Sequence, residues 1–266
     1  FTSQKPWWWV SNTPTRCQPL IYNAHMNINS FLDDLLNKNL KLIAFGETYH
    51  GTHEVVIKEI VSHISNFSTI FIEKPVSMQF AIDEYLSIGT INERLESHIQ
   101  NSAKEGKYIR GTTLLILDSA RQNKIPVICV DSSKIKTDEY TTESTIGKYF
   151  LRGSSRDEDM FVNIQNMIGN GKGVFFGGFQ HLMNGLHFRS GEETLGSRFH
   201  KEYGDRFFSC AIFKLKEEDV GIIGNDMVAF DMPKDEASPE FSTFVRRSGI
   251  KIKDEQGRLN FDGYIL

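Results

Sequence analysis

Short apolar runs, separated by helix-length amphipathic stretches and closed by a polar residue or a glycine, constrain this chain more than any other feature. Lys41–Phe45 ends at Gly46, Ser68–Ile72 at Glu73 and Ile125–Val130 at Asp131. Gly173–Gly177 is followed by Gly178, Gln180 and His181. Runs this short suit strands buried on both faces better than helices. Between them lie stretches with helical spacing. Ile28–Leu40 has apolar residues at Ile28, Phe31, Leu32, Leu35 and Leu36, and Glu54–Ile64 has them at Val55, Ile60, Val61 and Ile64. Thr113–Asn123 and Arg156–Ile168 read the same way, the latter with Met160 and Ile164 facing inward. Phe207–Leu215 reads as a further strand and Val220–Phe230 as a weaker one. The alternation predicts an α/β fold, an open, mostly parallel sheet with helices on both faces. Residues 41–72 form a strand–helix–strand unit, which implies parallel pairing of its two strands.

The 266 residues are expected to form a single α/β domain over 1–266, with 20–75 and 108–230 as the sheet core. Residues 76–107 are helical and polar, broken at Gly89 and Gly106, and too long for a simple crossover, so they read as an inserted helical lid. Residues 1–19 hold Pro6, Trp7, Trp8, Trp9, Pro14 and Pro19 and read as an aromatic N-terminal arm. A hydrophobic content of 39% with 12% aromatics excludes a wholly disordered chain. The net charge of -4 argues against a nucleic-acid partner. Three cysteines, Cys17, Cys129 and Cys210, cannot make a full disulfide framework, and their spacing fits no zinc site. No apolar run is long enough for a transmembrane helix. The sequence starts at Phe1 with no signal pattern, which reads as a processed chain or a piece of a longer one. It leaves the compartment and the oligomeric state unassigned.

In parallel α/β sheets ligands bind beyond the carboxyl ends of the strands. Those ends carry Glu47, His50, His53 and Glu54, then Glu73, Asp131 and His181. Glu47 and His50 sit three apart on a turn between Gly46 and Gly51, so both can serve one pocket. A carboxylate such as Glu73 at the mouth of a buried strand is costly unless paired. Asp131 has the same setting, with a turn cap through Ser132 and Ser133 as the plainer reading. Arg156 and Asp157 open a helix. Asp157 suits a helix N-terminus on dipole grounds, and Arg156 either reaches a substrate carboxylate or holds Glu73. Carboxylates and imidazoles together support general-base activation of water or a divalent ion held by Glu and His. Neither a His-Glu-x-x-His zinc motif nor a Gly-x-Ser-x-Gly elbow occurs. His25, His63, His98 and His200 lack a strand-end setting and read as surface residues, and His187 as a packing or rim residue.

Taken in order, the segments Phe45–Glu54, Ile72–Glu73, Val127–Asp131, Ser155–Met160 with Asn163, and Gly177–His181 resemble the erythromycin-esterase-like and haem-uptake Tiki-like (ChaN-like) superfamily. That superfamily includes macrolactone esterases, metal-dependent proteases, haem-binding lipoproteins and domains of bacterial toxins. The resemblance implies His50 as general base and Glu73 as its partner acid, with Glu47 and His181 at the remaining motif positions and Arg156 and Asp157 as a supporting pair. In the protease branch it implies a divalent metal ion (Mn, Co or Zn) on Glu47, His50 and His181; otherwise no cofactor. His53 and Asp131 join the supporting or substrate-binding set. The expected function is hydrolysis of an ester, lactone or peptide bond in a small-molecule or peptide substrate. The alternatives are a haem- or metal-binding module and a non-catalytic toxin or effector interaction domain, secreted or delivered to a host cytosol within a larger protein.

Overall fold

The computed structural model describes residues 26–47, 54–104, 109–131, 153–185, 192–213, 228–231 and 261–265. Strand β1 (Met26–Asn27) leads into α1 (Ile28–Asn37), capped by the Asn27 side chain, which accepts from Ser30 N at 2.9 Å. Then come β2 (Leu42–Glu47), α2 (Glu54–Ser62) and β3 (Thr69–Pro75). Helices α3 (Gln79–Ile88), α4 (Glu93–Lys104) and α5 (Ile109–Asn123) precede β4 (Val127–Asp131). The chain continues through α6 (Gly153–Met167), β5 (Gly173–Gly178), the single turn α7 (Phe179–Leu182), α8 (Leu195–Tyr203) and β6 (Phe207–Ile212). Strands β7 (Val228–Asp231) and β8 (Gly263–Ile265) complete it.

The strands make one sheet in the order β1-β7-β8-β6-β2-β5-β3-β4. The six from β8 to β4 are parallel, and β7 runs antiparallel to both of its neighbours at the edge. The expected direct pairing of the first two core strands needs correction. β2 and β3 are parallel, but β5 lies between them and pairs with both. Gly173–Gly178 is buried throughout and small at both ends, so it fits the crowded middle of the sheet.

Period-two alternation sends successive strand side chains to opposite faces. Ile43, Phe45, Ile70, Ile72, Val174 and Phe176 pack with α1 to α5 in one core. Leu42, Ala44, Phe71 and Phe175 pack with α6, α7 and α8 in the other. The stretch read as a helical lid forms α3 and α4. Their Ala81, Ile82, Tyr85, Leu95 and Ile99 belong to the same apolar cluster as Leu117 and Ala120 of α5. Gln79 closes the β4 edge of the sheet. Its Nε2 donates to Val127 O at 2.8 Å, and its Oε1 accepts from Cys129 N at 2.8 Å.

In-register pairing brings the strand ends level. Glu47 faces Gly178 across β2 and β5, Ile72 faces Phe176, and Pro75 faces Asp131 past a bulge in β3. The polar residues that end the runs therefore share one rim.

Candidate functional site

The rim is organised around a cation. Arg156, on the first turns of α6, donates Nε to Asp131 Oδ1 and Nη2 to Asp131 Oδ2, both at 2.7 Å. Nη2 also donates to Glu73 Oε1 at 2.6 Å. This fork binds the last residue of β4 to the mouth of β3, a geometry that a planar guanidinium supplies and an ammonium does not. Asn163, two turns along α6, donates to Val130 O at 3.0 Å and holds the helix against β4.

His181 stands in the turn that follows β5. Its Nδ1 is bonded to Asp157 Oδ1, and its Nε2 lies 3.4 Å from Glu73 Oε1 and 3.3 Å from Arg156 Nη1. Asp157 is only 2% exposed, and its other oxygen accepts from Leu195 N, the first residue of α8, at 3.0 Å. Burial alone would lower the His181 pKa, but the Asp157 and Glu73 carboxylates outweigh it and raise the imidazole to about 10. At neutral pH His181 is therefore an imidazolium: a donor and a positive charge rather than a base. Glu73 Oε2 accepts from Gly178 N, so both Glu73 oxygens receive hydrogen bonds. A Cβ at Gly177 would come within 2.8 Å of that oxygen and 2.5 Å of the Phe175 ring, so the close approach of β5 to Glu73 needs a glycine there.

Glu73 also borders a small cavity on the α2/α5 side of the rim. Glu47, Lys74 and Gly177 line it at the strand ends, and Ile57, Ile72, Ile116 and Phe176 with Thr112 and Thr113 line it beyond. Of the expected site residues, the structure joins Glu73, Asp131, Arg156, Asp157 and His181 in one network, and Glu47 shares the cavity wall with Glu73. His50 and His53 lie outside the described residues, as do Cys17, His25, His187 and the aromatic arm. Asp131 pairs with Arg156, while Ser132 and Ser133, through which a turn cap was expected, lie outside the described residues. Asp157 is bound to His181 rather than only serving a helix dipole. His63, His98 and His200 are half-buried rather than surface residues. His63 lies 3.4 Å from Asp33, and His200 lies 3.3 Å from Asp262 with its ring edge-on to Phe207. Thr112 and Thr113 carried no signal in the sequence, where they only mark the start of a helix. Burial pushes the Cys129 thiol up to about 12, which removes it as a nucleophile.

Among the described residues no group of three or more His, Cys, Asp or Glu side chains is arranged to hold a metal ion. The expected ligand set includes His50, which is not described. For the described member His181, both ring nitrogens are engaged and a guanidinium nitrogen stands 3.3 Å from Nε2. A metal ion on that nitrogen would face the Arg156 charge, so His181 as placed does not fit a metal.

No protein-family model and no curated sequence matches the chain. Solved structures do. A Bacillus cereus protein aligns over 90% of this chain and 91% of its own, with 14% identity and a TM-score of 0.61. An erythromycin esterase, EreC, in its open conformation aligns over 89% and 92%, with 11% identity and a TM-score of 0.59. The chain has the erythromycin-esterase fold. This esterase-like fold is also similar to RRSP, a MARTX toxin effector domain from Vibrio vulnificus, at 17% identity and a TM-score of 0.50. That alignment covers 71% of this chain but only 36% of the toxin structure. Among the described residues no helix of this chain is long and apolar enough to cross a membrane.

Proposed function

We propose that the chain hydrolyses an ester, lactone or peptide bond at the strand-end rim without a metal ion. The observation that carries this reading is the double position of Glu73, which is tied into the Arg156–His181 network and also borders the cavity. Both Glu73 oxygens accept hydrogen bonds, which makes the carboxylate a firm anchor. His181, charged at neutral pH, does not take a proton from water. That task falls to His50, in keeping with the family resemblance, with Glu73 as its partner. Water loses its proton to His50 as its oxygen bonds to the substrate carbonyl carbon, and the carbonyl pair moves onto oxygen. Collapse of that oxyanion breaks the C–O or C–N bond, and the proton passes from His50 to the leaving group. Arg156 and His181, each paired with carboxylates, hold Glu73 in place beside the cavity.

The test is hydrolysis of a panel of carboxylic esters, lactones and short peptides by the purified chain and by His50→Ala and Glu73→Gln. The expected result is turnover by the wild type and a loss of about 100-fold or more in each variant. Equal rates in all three would overturn the proposal. A haem absorbance band lost in His181→Ala, with no turnover, would favour the binding-module reading. A biological effect that survives both variants would favour the interaction domain.

A further inference from the structure

We infer that the cavity beside Glu73 receives a short aliphatic group attached next to the scissile carbonyl, an inference that rests on the hydrolase reading and narrows its substrate class. The cavity is polar where it meets the strand ends, with Glu47, Glu73 and Lys74, and apolar beyond. Ile57 comes from α2, Ile72 from β3, Phe176 from β5 and Ile116 from α5, so four elements build one apolar wall. Alternation along β3 and β5 turns Ile72 and Phe176 to the face that α2 and α5 cover. On α5, Thr112 and Ile116 are one turn apart and share a face, so that helix passes from hydroxyl to hydrocarbon along the cavity. Water held among isoleucine and phenylalanine side chains lacks the two to four polar partners it needs, whereas an alkyl group needs none. A ligand with a carbonyl at the carboxylate end and a hydrocarbon stub at the isoleucine end matches this gradient.

An aliphatic group fits whether it belongs to the acyl or the alcohol side of the bond, and the experiment separates the two. One series varies the acyl chain of p-nitrophenyl esters from acetate to decanoate. The other varies the alkyl chain of esters of one fixed acid. In the series whose chain enters the cavity, kcat/KM rises about fourfold per methylene until the far wall is met, then falls. Ile116→Val and Ile116→Ala, which enlarge the far wall, move the best chain to a longer one. Thr113→Leu, which fills space, moves it to a shorter one. Circular dichroism and thermal melting confirm that each variant is folded. Hydrolysis that continues with no length preference, or with one that none of the variants moves, overturns this inference and leaves the hydrolase reading standing. If no ester, lactone or peptide is hydrolysed at all, the hydrolase reading falls, and methyl NMR with isoamyl alcohol as probe decides the cavity's ligand. Shifts at the Ile57, Ile72 and Ile116 methyls that vanish in Thr113→Leu support it, and unmoved methyls overturn it.

Discussion

Replacing Asp157 by Asn removes one charge and almost no volume, so it isolates what the carboxylate does for His181. The new amide keeps an oxygen for the Leu195 N–H, which Asp157 now receives at 3.0 Å. It can donate to a neutral imidazole but not accept well from an imidazolium held at Nδ1. A buried charge stripped of its partner costs about 3–5 kcal/mol, and a hydrogen bond to a charged group is worth about 1.5–3 kcal/mol. Glu73 remains 3.4 Å from Nε2 and still offsets part of the charge, so the lower figures apply, and about 3 kcal/mol is expected at pH 7. At about 2–4 °C per kcal/mol for a chain of this size, the melting temperature falls by about 6–12 °C. The His181 pKa is raised from 6.5 to about 10 in the folded state, so its stabilising effect is complete below pH 6.5 and is lost as pH rises through about 10. The gap between wild type and variant therefore narrows as pH rises from 6.5 to about 10 and has closed above that. Thermal melts at about pH 6, 8 and 10.5, together with NMR titration of His181, measure both quantities. A gap that is the same at every pH, or a His181 that titrates near 6.5 in the wild type, would refute the reasoning.

Arg156→Lys keeps the charge but cannot span Asp131 and Glu73 with a planar fork, so hydrolysis should fall by at least about tenfold, with a rate equal to wild type counting against the network. Prolonged EDTA treatment should leave hydrolysis unchanged, because Arg156 occupies the cation position among Glu73, Asp131 and His181. A loss that Mn²⁺ restores would contradict this. Gly196→Ala would place a Cβ 2.2 Å from Leu182 O, a backbone atom with little room to move, and should cost about 1–3 kcal/mol by urea titration. Thr194→Val removes the hydroxyl that accepts from Ser197 N and donates to Met183 O in a fully buried setting. A further loss of about 2–3 kcal/mol is expected, read by the same titration.

The rim of the sheet was legible because each core strand is a short apolar run with an abrupt polar end, and parallel pairing brings those ends level. The partnerships on the rim were not. Arg156 could be placed near a carboxylate, but its simultaneous hold on Asp131 and Glu73 depends on β3 and β4 being neighbours, and neighbour order is a non-local property. The same holds for β5, which enters between β2 and β3 from late in the sequence. The pairing of Asp157 with His181 joins the start of one helix to the turn after another strand, and no spacing rule encodes it. Strand β8 escaped notice because Gly263–Ile265 is too short to show periodicity and follows a stretch rich in turn residues. Its Tyr264 and Ile265 are nevertheless fully buried between β6 and β7. The cavity wall was invisible for the opposite reason: Ile57, Ile72, Ile116 and Phe176 read as ordinary core residues, and nothing in a sequence marks which core residues border a space.

The amide of Gln79 has a consequence for how this molecule keeps to itself. A sheet that stops at a parallel strand leaves a ladder of donors and acceptors open to any extended chain in solution, the usual first step toward fibres and swapped dimers. Here one side chain supplies a donor and an acceptor to that ladder from a helix that cannot propagate it. An incoming strand would have to evict the amide and lift α3 before it could dock, so the end of the sheet is finished by a helix rather than left for a neighbour to extend.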